Sequence, residues 1–490
     1  MVGFVYHRSM SRDALKLKLI FGILTAFLLI TSTFAHDIPI TKVLDNLSDF
    51  TSVESIPQES VALPWGDWSH YHNYTEIVYT LLYLNSTYPT LVDVFPIGNS
   101  CLNREIFCVR LTNEDFTYEK PKVLFIGYHH ARERISAELP LYFAVFAATN
   151  YGANKNITEM LDLTEIYVVV TLNVDGFDTV EVNEWQRKNA RPFDEDDDGV
   201  YDEDPPDDED GDGYVEDLYF WNGVDYEFVR WEGIDDDGDG LLNEDWAGGV
   251  DLNRNYGYEW NANVDSGSPF PSDEDYRGPS PFSEPETQAI RDLALQHNFR
   301  YAVSFHSGAE SILYPWGHTT IPTPDNQIFV EVASGLSALV GAQYSQSGMW
   351  YTTSGNWEDW MYGNRSTFAF TCEIYTNPNA WQYEPGPDLD TLWEKGIFQF
   401  FNPAPHLIEN TILRWMPTFT YVAYRVIEER GCDMNMDGKI DIKDLAIAAR
   451  AFGSYSGHSR WLPIADINKD GKIDLVDIAI VSSNFGKILP

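Results

Sequence analysis

KVLFIGYHHARERISAELPLYFAVFAATN, Lys122 to Asn150, changes its period in the middle. KVLFIGYHH opens on an apolar run of strand type, whereas from Glu133 onward apolar residues recur at helical spacing. The junction holds His129, His130 and Glu133. His130 and Glu133 are three residues apart, so a helical turn beginning there brings both side chains to one point. An imidazole and a carboxylate so placed suit zinc, which takes nitrogen and oxygen ligands in a tetrahedral shell and keeps one position open for catalysis. His129 with Glu133 is the rival pair, and a metal-free surface His–Glu pair is the plainer alternative.

Outward from this stretch the alternation recurs. NYTEIVYTLLYLNSTYP and SEPETQAIRDLALQHN read as helices, and LVDVFPIG, IFCVRLT, EIYVVVTLNV and RYAVSFHS as strands. Alternating strands and helices predict an α/β layer with a largely covered sheet, in which ligands bind where strands end.

The chain has 490 residues, 44% of them apolar and 14% aromatic, enough for one large domain and a smaller one. A net charge of -44 without Lys and Arg clusters excludes nucleic acid and favours cations as ligands. Arg8, Arg12, Lys16 and Lys18 precede LIFGILTAFLLITSTFA, the layout of a secretory signal peptide over residues 1–35. A retained anchor is the alternative, and no second such run follows. The expectation is a secreted or cell-surface protein without a permanent membrane span, with a polar lead over residues 36–60. In that setting Cys101 and Cys108 are candidates for a local disulfide.

Downstream of HARE come WQRKNAR, GVDLNRN, SFHSGAESILYPWG, YTTSGNWEDW and FAFTCEIY. These six motifs, in this order, resemble the zinc carboxypeptidase family of the carboxypeptidase A/B type over residues 61–430. The resemblance implies a mixed, mostly parallel twisted sheet covered by helices on both faces. It implies one zinc on His130, Glu133 and His306, Glu373 as general base, and Arg187 as the group that steadies the oxyanion. Asn253 and Arg254, with Tyr351 closing over them, match the clamp for a substrate's terminal carboxylate, and Arg132 a contact further along the peptide. For Arg132 a structural salt bridge is the alternative. Glu358 stands at the family position for the base of the terminal side-chain pocket, where a buried anion points to C-terminal Lys or Arg. Gly308 departs from the family, which usually has Tyr there. The stretch between Ala35 and Trp65 is too short for a large pro-segment of the digestive type.

Residues 431–490 contain one unit twice, offset by 33 residues from Asp433 to Asp466. The first copy places oxygens at Asp433, Asn435, Asp437, Asp441 and Asp444, and the second at Asp466, Asn468, Asp470, Asp474 and Asp477. Glycine at position 6 and a helix after the loop make this calcium chemistry of the EF-hand type, for two ions. Asp at position 12 and the paired layout resemble a type I dockerin, which implies a cohesin-like or cell-surface partner; a purely intramolecular calcium-stapled tail is the alternative.

Residues 192–246 form an acidic insertion between the motifs of Arg187 and Asn253. Its aspartates recur before glycines: Asp194, Asp196 and Asp198, then Asp208, Asp210 and Asp212, then Asp235, Asp237 and Asp239. We expect further calcium to order this insertion beside the groove, against the alternative of a solvated acidic loop. The leading function is hydrolysis of C-terminal peptide bonds. A zinc amidohydrolase acting on cell-wall peptide or another amide, and a non-catalytic binding module of a surface complex, are the competing readings.

Overall fold

The computed structural model describes residues 67–182, 184–192, 217–224, 226–235, 248–262, 264–385 and 391–488. The expected signal peptide and lead, and every insertion aspartate singled out above except Asp235, lie outside the described residues.

Eight strands form the main sheet, in the order β1-β2-β4-β3-β7-β10-β8-β9. They are β1 (Val92–Asn99), β2 (Glu105–Leu111), β3 (Lys122–Ile126), β4 (Glu165–Val169), β7 (Phe299–His306), β8 (Ala309–Tyr314), β9 (Gln343–Gln346) and β10 (Phe368–Tyr375). The central neighbours β4, β3, β7 and β10 are parallel, while β1, β2 and β8 add antiparallel pairings. The sheet is therefore mixed and mostly parallel, as the family resemblance implies.

Alternate residues of each central strand feed different layers. Leu124, Ile126 and Ala302 pack with Ile290 and Leu293 of helix Pro285–Gln296 and with Trp357 and Trp360 of helix Trp357–Arg365. Phe125 and Phe305 point the other way and meet Phe419 of helix Pro417–Arg430 at ring distances of 4.5 and 5.1 Å. Phe419 also stacks on Phe143 at 4.0 Å. Phe143 belongs to helix Ile135–Asn150, which is buried from Ile135 through Ala148 and is accordingly apolar apart from Ser136 and Glu138, the latter paired with His72 at 2.7 Å. Helix Tyr74–Thr87 starts on a capping box, Asn73 Oδ1 accepting from Glu76 N at 3.0 Å and Glu76 Oε2 from Asn73 N at 2.9 Å. Among the described residues no helix is long and apolar enough to cross a membrane.

A second compact unit contains a four-stranded antiparallel sheet in the order β11-β12-β5-β6. Strands β5 (Asp217–Trp221) and β6 (Tyr226–Trp231) come from the acidic insertion, and β11 (Gln382–Pro385) and β12 (Thr391–Lys395) from a later segment. Pairing across such a gap in sequence leaves no local signal, and the acidic composition around β5 hides its alternation.

The disulfide expectation fails. All four cysteines are free. Cys108 is wholly buried on β2, while the Cys101 thiol lies 3.3 Å from Asp175 Oδ2. Burial raises the pKa of both thiols.

Candidate metal centre and active site

Three adjacent parallel strands end together and deliver the central side chains. His306 closes β7, and the parallel register sets Glu373 of β10 directly beside it. His130 and Glu133 follow β3 in a turn, closed by Glu133 N to His130 O at 3.2 Å, ahead of the helix that begins at Ile135. A turn, rather than the first turn of that helix, aims the pair.

Donor atoms of His130, Glu133 and His306 converge. His130 Nδ1 and His306 Nδ1 are 3.2 Å apart, with Glu133 Oε1 2.7 Å from the first and Oε2 3.0 Å from the second. Ligands about 2.0–2.1 Å from a tetrahedral zinc stand about 3.3 Å from each other, so the set fits that ion. All three residues are buried and could hold a metal together. Burial works against the charge on Glu133, but the two imidazoles outweigh it and hold its carboxyl well below the usual range. His129 is no part of the cluster. Its Nδ1 meets Ser304 Oγ at 2.9 Å and its Nε2 meets Tyr256 OH at 3.1 Å.

Asp251, which motif reading passed over, links the metal cluster to Arg187. One oxygen lies 3.1 Å from His130 Nε2, and the other accepts from Arg187 Nε at 2.9 Å. The signal was present, because a carboxylate between Val250 and Leu252 in GVDLNRN needs a buried partner. Asp251 fixes the His130 ring as a carboxylate behind a metal-binding histidine does. Burial opposes the charge on Arg187, yet Asp251 and Glu133 more than compensate and raise its pKa. Glu373 is the opposite case: burial, reinforced by Glu133, pushes its proton affinity well up, and its Oε2 has no hydrogen-bond partner among the described residues.

Asn253 and Arg254 occupy the short 3-10 turn Leu252–Arg254 after Asp251. Asn253 Oδ1 accepts from Trp357 N at 2.9 Å, and Arg254 Nε donates to Ser266 Oγ at 3.0 Å. Tyr351 is exposed. Glu358 is 4% exposed, with Ser347 Oγ at 3.0 Å, Asn356 Nδ2 at 3.3 Å and Thr371 Oγ1 at 3.2 Å from its oxygens. Burial, with Asp359 next to it, pushes its pKa up to about 7. Asp359 itself accepts from Gly317 N at 2.8 Å and His318 N at 3.0 Å.

Arg132 takes the salt-bridge alternative, with Nη1 and Nη2 on the two oxygens of Glu274 at 2.9 and 3.2 Å. Its guanidinium also lies 4.5 Å from the Phe401 ring centroid. The same ring accounts for Gly308: a Cβ there would come within 2.4 Å of Phe401, and the backbone φ is +117°.

In the tail, both loops draw backbone N–H groups onto the carboxylate at their first position, buried at Asp433 and half-buried at Asp466. Asp433 Oδ2 accepts from Gly438 N at 2.9 Å, and Asp466 Oδ2 from Gly471 N at 2.8 Å. Asp444 and Asp477 are wholly buried, and Asp441 and Asp474 cap the helices Ile442–Ala451 and Leu475–Ser483. Burial raises the pKa of Asp433 and Asp466, and the neighbouring position-12 carboxylates add to it. An all-oxygen donor set whose anions crowd one another fits calcium.

The zinc carboxypeptidase family matches residues 77–411, and the dockerin type I domain matches residues 431–486. Mouse carboxypeptidase A6 is 28% identical over 317 residues, 62% of this chain and 60% of the relative. Rat mast cell carboxypeptidase A is 25% identical over 315 residues, 62% of this chain and 64% of the relative. The chain thus spans less than two thirds of the length of these relatives. The crystal structure of thrombin activatable fibrinolysis inhibitor shares the fold, with a TM-score of 0.56 at 19% identity, over 79% of this chain and 81% of the other.

Proposed function

We propose that this chain, which belongs to the zinc carboxypeptidase family, is a secreted metallocarboxypeptidase that hydrolyses C-terminal peptide bonds and prefers terminal Lys or Arg. The observation that carries the reading is the meeting of His130, Glu133 and His306 with Arg187, through Glu133 and Asp251, and with Glu373 in register beside His306.

His130, Glu133 and His306 would hold the zinc, which when bound supplies Lewis acidity and lowers the pKa of water. Glu373, raised in proton affinity and free at Oε2, accepts a proton from the attacking water and returns it to the leaving amine. Arg187, held by Asp251, meets the oxyanion with a charge it cannot lose, which is worth about 2.7–4 kcal/mol for such a donor. Arg254, with Asn253, pairs the free α-carboxylate, and that requirement selects chain ends over internal bonds. Tyr351 closes over the bound end. Glu358 receives a basic terminal side chain, whose charge offsets the cost of ionising a buried carboxyl. The tail holds two calcium ions and docks a cohesin-like partner outside the cell, and calcium also orders the acidic insertion.

The test uses the full zinc-loaded chain, with and without a zinc chelator, on peptides ending in Lys, Arg, Phe or Glu, read by mass spectrometry. Chelator-sensitive loss of one terminal residue is expected, fastest for Lys and Arg. Release of nothing from any peptide would sink the activity, and release from Phe-ended peptides alone would sink the basic preference.

A further inference from the structure

The two loops of the tail are near copies in unlike surroundings. Position 4 is Met436 in the first loop and Lys469 in the second, with φ of 55° and 59°, so the backbone is the same. Met436 is exposed. Lys469 Nζ instead lies 2.7 Å from Glu159 Oε1 and 5.1 Å from the ring centroid of Tyr424. Glu159 belongs to helix Lys155–Leu163 and Tyr424 to helix Pro417–Arg430; the second helix packs on β3 and β7, and the first packs on the second and on helix Ile135–Asn150.

The first loop is tied to the same body by another route. Arg430, the last residue of its helix, donates from Nε to the Asp433 carbonyl at 2.9 Å and from Nη2 to the Met434 carbonyl. Its guanidinium lies 5.5 Å from the Tyr118 ring centroid. Apolar side chains cross the boundary as well. Leu163 shares one buried cluster with Met434, Ile440, Ala448 and Ile473, and Tyr118 and Ile427 pack against it.

We propose that the tail is a calcium-dependent strut of the catalytic body, in which loading the two loops orders the face formed by helices Lys155–Leu163 and Pro417–Arg430. Without a cation the loop carboxylates repel one another, and calcium removes that repulsion and fixes the loop backbone. Arg430 grips that backbone at the first ligand position, and Lys469 links the second loop to Glu159. Ordering of the loops is therefore shared with the helices they touch. The inference depends on calcium in the tail and not on peptide hydrolysis.

Hydrogen exchange of the full-length chain, read by mass spectrometry at constant zinc with calcium present or withheld, tests the strut. Calcium should slow exchange in both helices by about tenfold or more. The double variant Asp444→Ala and Asp477→Ala, which keeps the acidic insertion intact, should lose this response. Lys469→Met, which keeps every loop ligand, should weaken the response of helix Lys155–Leu163 while the tail itself still responds to calcium. Equal exchange of the two helices with and without calcium would overturn the proposal. So would a full response in the double variant, which would assign the effect to the insertion, or a wild-type response in Lys469→Met.

Discussion

Replacing Glu358 by Gln removes a charge while keeping the size and most hydrogen bonds of the side chain. The carboxyl stands at about 7 against an ordinary 4.5. At 1.36 kcal/mol per unit, ionising it in the empty enzyme costs about 3 kcal/mol. Because the folded-state pKa is raised, the stabilising contribution is complete below the unfolded value of 4.5 and is lost as pH rises through about 7. The unliganded wild type should therefore lose up to about 3 kcal/mol relative to Glu358→Gln between those values, seen as a urea midpoint that falls with pH more steeply in the wild type than in the variant. Selectivity runs the other way. A terminal Lys needs the ionised carboxylate, so the ratio of kcat/KM for a Lys-ended peptide over its Leu-ended twin should climb through about pH 7. In Glu358→Gln the ratio should be flat and lower by about 10²- to 10⁴-fold, the equivalent of breaking a buried pair at about 3–5 kcal/mol. A variant that still prefers Lys as strongly as the wild type, or a wild-type ratio indifferent to pH, would refute the assignment of Glu358.

Glu373→Gln should lower kcat by about 10²- to 10⁴-fold with zinc content unchanged by metal analysis, because only the proton relay is removed. Asp251→Asn should weaken zinc binding by about 10- to 100-fold in competition with a chromophoric chelator, since it loosens the hold on the His130 ring. Gly308→Ala should lower the denaturation midpoint, its Cβ being driven toward Phe401 at a backbone angle that disfavours side chains. Limited proteolysis should cut between Asp194 and Asp245 readily without calcium and slowly with it; cleavage indifferent to calcium would defeat the ordered insertion.

Much of the fold was legible because its signals are local. The strand-to-helix change of period at Lys122–Asn150 is there, and so are the apolar runs of β7 and β10. His130 and Glu133 could be paired from their spacing, His306 came only with the family resemblance, and the three do converge. The partner of Arg132 could not be read: Glu274 lies 142 residues on, in a stretch without periodic pattern. Asp251 was visible as a residue but not as a role, since nothing local says that one oxygen serves His130 and the other Arg187. The cysteines misled for the same reason. Proximity in sequence suggested a bond, whereas β2 turns Cys108 into the core and the preceding turn sends Cys101 to Asp175.

What the amino-acid order determined by itself was chemistry with short reach: the alternation that makes strands and helices, the duplicated oxygen-rich loops of the tail, and the pairing of His130 with Glu133. Such features depend on neighbours a few residues apart, where chain geometry allows little choice. Tertiary structure alone decided which strand ends meet, and so that Glu373 stands beside His306 and that Asp251 bridges two functions. It also decided that Glu358 is buried among Ser347, Asn356 and Thr371, and that the tail is gripped by Arg430 and Lys469. The reason is physical. Desolvation and charge pairing act through space and vary steeply with distance and burial, and the distances are set only when the sheet closes and its layers pack.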